Sequence, residues 1–378
     1  MWRGPSTLSR TVGATDTASG AVRWRAVIKY LGSKRRLLPL LVATIRSLPD
    51  TTSVLDLFSG TARVGHALKA EGLRVLCNDH NAYAATLARA HVQADREDVA
   101  HDAERLIREL DALPGRPGWF TEMWCVQSRF LRPENGARLE AIREEIARKA
   151  LPPELEAVLL VSLMEAADRV DSTTGVQMAY LKDWAPRAHN RLTLRLPALL
   201  PRARHGRCEA HELDALEAAA RLQADVAYLD PPYNQHKYLG NYHLWETLVR
   251  WDRPEVYGMA RKRADCRDRS SEFNSRGRIR DALLRLVATL RCRHLVVSFS
   301  NEGFLTRAEM ETLLAPRGRV TVLEREGPRY VGAQIGIYNP QGEKVGKVSH
   351  LRNTEYVFVV TDGAWSAERV VEAAAGLA

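Results

Sequence analysis

The chain has 378 residues, with 55 Lys+Arg against 46 Asp+Glu and a formal net charge of +9. A hydrophobic fraction of 45% and a charged fraction of 27% exclude global disorder, and the length suits about two domains, or one large domain with an insertion. No apolar stretch approaches the roughly 20 residues that cross a bilayer, and the first twenty residues lack the apolar core of a secretory signal, so we expect a cytoplasmic protein with no membrane partner.

Residues 1–23, rich in Ser, Thr, Gly and Ala, read as a flexible tail. Thr52–Phe58 is a short apolar run closed by Ser59-Gly60, the pattern of a buried strand ending in a tight turn. Arg63–Glu71 suits a helix stopped by Gly72, and Leu73–Cys77 a second strand ending at Asn78-Asp79. A strand, glycine turn, helix and strand with an acidic end opens a doubly wound α/β sheet. From residue 96 to 210 the pattern changes to amphipathic helices, in HDAERLIRELDAL, ARLEAIREEIARKA and PELEAVLLVSLMEAADRV, where apolar residues recur every three or four positions. Strands return at Ala224–Leu229, His294–Ser298, Val320–Leu323 and Glu355–Val360. The expected organisation is therefore a discontinuous catalytic domain, 24–95 and 211–365, interrupted by a helical insertion, 96–210.

Five dispersed cysteines, Cys77, Cys125, Cys208, Cys266 and Cys292, form no C-x-x-C pair and no zinc-spaced cluster. They read as ordinary core or surface thiols, and we expect no metal. The charge surplus is local. Residues 1–29 hold five basic and one acidic side chain, and residues 250–280 hold ten and five, while the rest is close to neutral. Such a distribution permits local contact with a polyanion.

Three elements carry chemistry. Asp230-Pro231-Pro232-Tyr233 directly follows the strand ADVAYL, and ligands sit at the carboxyl ends of parallel strands. The four residues suit methylation of an amine on an aromatic ring, a poor nucleophile because its lone pair is delocalised. Asp230 and the Pro231 carbonyl can each accept one N–H, stabilising the charge that grows on nitrogen during attack. Pro232 adds rigidity, and Tyr233 offers a face for a base swung out of its duplex. The second element, Asp56-Leu57-Phe58-Ser59-Gly60-Thr61-Ala62, brings backbone close to a nucleoside-containing cofactor, and Asp79 is placed for ribose hydroxyls. No G-K-[ST] follows, so a phosphate-cradling loop is not expected, and Ala62 stands where a dinucleotide fingerprint has its second glycine. The third, Tyr30-Leu31-Gly32-Ser33-Lys34, precedes a helix-forming run. A planar amine occurs in adenine of DNA or RNA, in cytosine and in the glutamine amide of a protein, and the tetrapeptide alone does not choose among them. A DNA-binding module without catalysis is a further alternative.

In this order, YLGSK, DLFSGTARVG with NDH, then DPPYN, the chain resembles the class of adenine-specific DNA methyltransferases that includes the Dam enzymes, and most of all the methylases of type II restriction–modification systems. The similarity extends to residues 171–184, 230–257 and 296–306 and covers about 27–360. It implies a Rossmann-like methyltransferase fold, S-adenosylmethionine as cofactor, double-stranded DNA as substrate, base flipping, and an inserted helical target-recognition domain. A cognate restriction endonuclease would act independently. It further implies cofactor-binding roles for Tyr30, Gly32, Lys34, Asp56, Phe58, Gly60, Asp79 and Asp230, and catalytic roles for Asp230, Pro231, Pro232 and Tyr233. Two positions depart from the pattern. Tyr30 stands where Dam enzymes have tryptophan, and Ala62 replaces a glycine near the cofactor's methionine moiety. The basic run after Tyr257 suits a grip on DNA phosphates. Trp245 is expected in the core and Asp214 on a surface helix.

Overall fold

A computed structural model of the chain describes residues 28–32, 34–235, 237–328, 352–363, 365, 367 and 370; the expected 1–23 tail lies outside them. Strands β1 (Ser53–Asp56), β2 (Arg74–Asn78), β3 (Glu209–His211) and β4 (Val226–Leu229) alternate with helices. A short ribbon, β5 (Val256–Tyr257) and β6 (Lys262–Arg263), precedes β7 (His294–Ser300), β8 (Arg319–Pro328) and β9 (Arg352–Thr361). The main sheet has the order β3-β2-β1-β4-β7-β9-β8. Its first five strands run parallel, and only the β7–β9 and β9–β8 pairs are antiparallel. The mostly parallel α/β sheet matches the expectation, with β3 and the ribbon added. Both additions are two or three residues long, too short to carry a period.

The order reverses between β1 and β4, so a crevice opens beyond their carboxyl ends, where open α/β sheets bind ligands. Side-chain alternation sorts the two faces. Val54, Val75, Val226, Val357 and Val359 pack beneath the helices Leu38–Ser47 and Arg63–Ala70. Leu55, Leu76, Ala227, Leu229 and Phe358 face Ala215–Arg221, Ile279–Thr289 and Arg307–Leu314. A separate helical core joins Arg96–Asp111, Pro133–Arg148 and Pro153–Val170. It also draws in Tyr83, Leu87, Tyr242, Leu244 and Trp245 from either side of residues 96–210.

Lys69 and Asp95 fasten this layer to the sheet. The lysine ammonium is fully buried and donates to the carbonyls of Val92 and Ala94 and to Asp95 Oδ1, at 2.8, 2.9 and 2.9 Å. Asp95 also receives Arg202 at 2.7 Å, so the chain leaving the helical layer is tied down beside the sheet.

Gly65, in the first turn of Arg63–Ala70, has no room for a side chain: a Cβ would lie 2.6 Å from Cys77 Sγ and 3.3 Å from Val92 Cγ2. Alanine is favoured over glycine in a helix by about 1 kcal/mol, yet overpacking costs about 1–3 kcal/mol, so crowding should win. Gly65→Ala is expected to lower Tm by a few degrees in a thermal melt; an unchanged or higher Tm would contradict this packing.

Candidate active site

A cavity at the crevice is lined by Tyr30, Gly32, Lys34, Asp56, Phe58, Gly60, Asp79, Asp230 and Pro232. Every residue assigned to cofactor binding from sequence is thus in one place. Pro231 and Tyr233 are not among the lining residues. Pro231 is buried in the chain leaving β4. Tyr233 stands to the side, its ring 5.6 Å from Lys34 Nζ and 5.3 Å from the Phe299 ring.

Each wall follows from local backbone chemistry. After β1 the chain turns through Gly60 and Ala62, at φ +51° and +56°. Glycine tolerates the left-handed region freely, whereas alanine there carries strain of about 1–2 kcal/mol. The turn starts the helix Arg63–Ala70 and aims the Gly65 N–H at Asp56 Oδ2, 3.1 Å away. Asp79, just past β2, accepts from the backbone N–H of Gly60 at 3.0 Å and of Asn81 at 2.9 Å. Tyr30 is clamped between the rings of Tyr242 and Tyr238, with centroids at 4.6 and 5.3 Å and nearly parallel planes. The Leu31 N–H donates to Tyr242 Oη at 2.6 Å. Gly32, at φ +73°, sits so close to Tyr238 that a Cβ would lie 2.9 Å from its hydroxyl.

Lys34 is buried, and its ammonium lies 3.0 Å from Asp230 Oδ1 and 3.4 Å from Glu355 Oε2. Burial works against its charge, but Asp230, Tyr233 and Glu355 outweigh that and hold its pKa well above the ordinary lysine value. Burial lifts Asp230 to about 6 against the opposing pull of Lys34; its side chain keeps 20% exposure. Burial, reinforced by Asp230, lifts Asp56 to about 8 even though the Gly65 N–H stabilises its charged form. Asp56 Oδ1 is buried with no hydrogen-bond partner. Asp79 is raised by burial too, against its hydrogen bonds. Three crowded carboxylates with one unsatisfied oxygen suit a ligand that carries positive charge and hydroxyl donors.

Sequence patterns assigned no cofactor or catalytic role to several lining residues: Asn78, Leu213, Tyr238, Ser270, Ser271 and Phe273. Phe273 meets Phe58 edge-on at 5.2 Å, and only long-range folding brings them together. Asp214 caps the helix Ala215–Arg221, accepting from the Leu216 N–H at 2.8 Å, and also lines the cavity. Trp245 is buried in the helical core, as expected. Part of the basic run is structural, since Arg263 pairs with Asp252 and Asp265, and Arg269 with the buried Glu246. Among the described residues no helix is long and apolar enough to cross a membrane, and no group of three or more His, Cys, Asp and Glu is placed to hold a metal.

Residues 30–312 match the family model of the D12 class N6 adenine-specific DNA methyltransferases. The chain belongs to this family. Its relatives include the type II methyltransferase M.FokI of Planomicrobium okeanokoites, 31% identical over 77% of this chain and 47% of the relative. M.NlaIII of Neisseria lactamica is 28% identical over 80% of this chain and 92% of the relative. The modification methylase StsI of Streptococcus sanguinis is 26% identical over 76% and 46%. The chain thus spans about half the length of two of these relatives and nearly all of the third. Membership brings with it a Rossmann-like methyltransferase fold and a methyl donor.

The Asp56 pKa near 8 lies above the ordinary aspartate value of 3.8. The folded chain therefore keeps a proton that the unfolded chain releases, and the stability this group contributes is complete below about pH 4 and lost as pH rises towards 8. Asp56→Asn does not titrate and can still accept from Gly65. Its Tm relative to the parent should rise steadily between pH 5 and pH 8; a constant or falling difference would contradict the buried carboxyl.

Proposed function

We propose that this chain transfers a methyl group from S-adenosylmethionine to the exocyclic amine of adenine in a short double-stranded DNA sequence, as the modification enzyme of a restriction–modification system. One observation carries the reading: the Asp230 carboxylate, held by Lys34, opens into the same cavity as Asp56 and Asp79.

S-adenosylmethionine, when bound, supplies an electrophilic methyl on a positively charged sulfur. The cavity fits such a cation. Asp56 and Asp230 are both raised by burial and each is stabilised in its charged form by a cation nearby. Asp79 receives the ribose hydroxyls, while Gly60 and Gly32 keep backbone close to the nucleoside. Phe58 and Phe273, which meet edge-on, give the nucleobase an apolar wall, and Tyr30 and Lys34 line the same cavity.

On the target side, Asp230 and the Pro231 carbonyl accept the two amine hydrogens and draw the nitrogen towards tetrahedral geometry. The carboxylate counters the positive charge that develops there. Asp230 need not remove the proton before attack. Tyr233 stacks on the extruded base, and Pro232 stiffens the turn. With Asp230 near 6, the acceptor is ionised at neutral pH, and activity should fall as pH drops through 6.

The helical layer, 96–210, reads the target sequence on this account, and the segments 24–95 and 211–365 carry catalysis. Phosphate contacts go to Arg261, Lys262 and Arg267 rather than to the ion-paired Arg263 and Arg269. The enzyme works in the cytoplasm on duplex DNA, and a cognate endonuclease of the same specificity acts independently of it.

Asp230→Ala should retain DNA binding within a few-fold and lose at least about 100-fold in single-turnover methylation, since removing one such group costs about 10²–10³. Near-normal turnover would remove Asp230 from the reaction. Digestion of the product DNA to nucleosides should yield N6-methyl-2′-deoxyadenosine; a methyl-2′-deoxycytidine would overturn the substrate.

A further inference from the structure

The Lys34 ammonium is shared between two carboxylates from distant parts of the chain, Asp230 after β4 and Glu355 at the start of β9, at 3.0 and 3.4 Å. Only Asp230 lines the cavity. We propose that Glu355 is a positioning residue for methyl transfer: by holding one side of the Lys34 ammonium, it leaves Asp230 free to accept a hydrogen from the target amine. This rests on the reading that Asp230 receives that amine.

The placement of Glu355 is dictated by the sheet. Strand β9 runs antiparallel to β7, and Glu355 pairs with Ser300, the last residue of β7. Its residue 355 therefore lies at the carboxyl end of the parallel strands, level with the catalytic loop. Alternation puts Glu355 on the face of Val357 and Val359, the face covered by the helix Leu38–Ser47. Lys34 lies in the turn that leads into that helix, and so reaches both carboxylates. All three groups are largely withdrawn from water, with side chains 8, 20 and 22% exposed, and screening between them is correspondingly weak.

With one carboxylate alone, the lysine would place its full charge and its donors on Asp230, competing with the amine for the same lone pairs. With two, the cluster Asp230–Lys34–Glu355 carries a net negative charge, which favours a reaction that builds positive charge on nitrogen. Other ionisable groups face the cluster. Asp56 and Tyr228 come from β1 and β4, and Tyr233, Tyr238 and Glu302 from the adjoining loops. From β8, Arg325 stands directly opposite Glu355 in register. Among the described residues, none of these makes a salt bridge to Glu355; Lys34 does.

The test combines single-turnover methylation across pH 5–8 with the carbon-13 carboxyl titration of Asp230 in the protein alone, assigned by difference from Asp230→Asn. In Glu355→Gln the Asp230 midpoint and the acid limb of the rate should both move down, from near 6 to about 5. The maximal rate should fall by about ten- to a hundredfold, with cofactor and DNA dissociation constants within threefold of the parent. Glu355→Asp should recover much of the rate, and Lys34→Met should move the Asp230 midpoint the opposite way, upward. A stationary midpoint in Glu355→Gln, or a loss seen only as weaker binding, overturns the proposal. If the parent protein makes no methyladenine, the function reading fails, and the carboxyl titration still decides whether Glu355 acts on Asp230.

Discussion

The structure is organised around buried carboxyl groups at the point where the strand order reverses. Asp56 ends β1 and Asp230 follows β4, its parallel neighbour. Backbone geometry commits both to the same crevice. Neither has a full counter-charge within the protein: Asp56 meets one backbone N–H and holds its proton to about pH 8, and Asp230 shares its lysine with Glu355. Keeping ionisable groups crowded out of water destabilises the empty protein, a cost that active sites accept in return for strong interaction with a charged ligand. A cation entering between these carboxylates meets an environment already arranged for it, with little reorganisation left to do.

Around that charge, the short N-terminal motif joins the two layers. Lys29 reaches across to Asp171 at 2.8 Å, Tyr30 is clamped by aromatic rings from the segment after DPPY, and Lys34 crosses to the ends of β4 and β9. A ligand resting against Tyr30 would therefore sense both the sheet and the helical layer. Tyr238 is the hinge of this arrangement, since it stacks on Tyr30, lines the cavity and lies only five residues beyond Tyr233.

Much of this was legible in the amino-acid sequence because it is local. An apolar strand followed by Asp-Pro-Pro-Tyr, or by Leu-Phe-Ser-Gly, carries its chemistry within a few residues, and a parallel sheet sends all such strand ends to one edge. The helix Pro153–Val170 matched the boundaries read from its period. The rest depends on long-range register. Glu355 is one polar residue at the start of a strand, and only the antiparallel pairing of β9 with β7 brings it level with Lys34. Phe273 and Ser271 reach the cavity from a basic loop whose composition pointed to phosphate contact. In that loop, Arg263 and Arg269 proved to be tied to carboxylates that a charge count cannot locate.

The claim that two buried carboxylates seat a cationic methyl donor can be tested by calorimetry at pH 7 in buffers of different ionisation enthalpy, comparing S-adenosylmethionine with its uncharged thioether product, S-adenosylhomocysteine. The two ligands differ at the sulfur, so the difference isolates its positive charge. S-adenosylmethionine should expel more protons on binding than S-adenosylhomocysteine does, with the excess reduced in Asp56→Asn. Equal proton release by both ligands, or none by either, would contradict it.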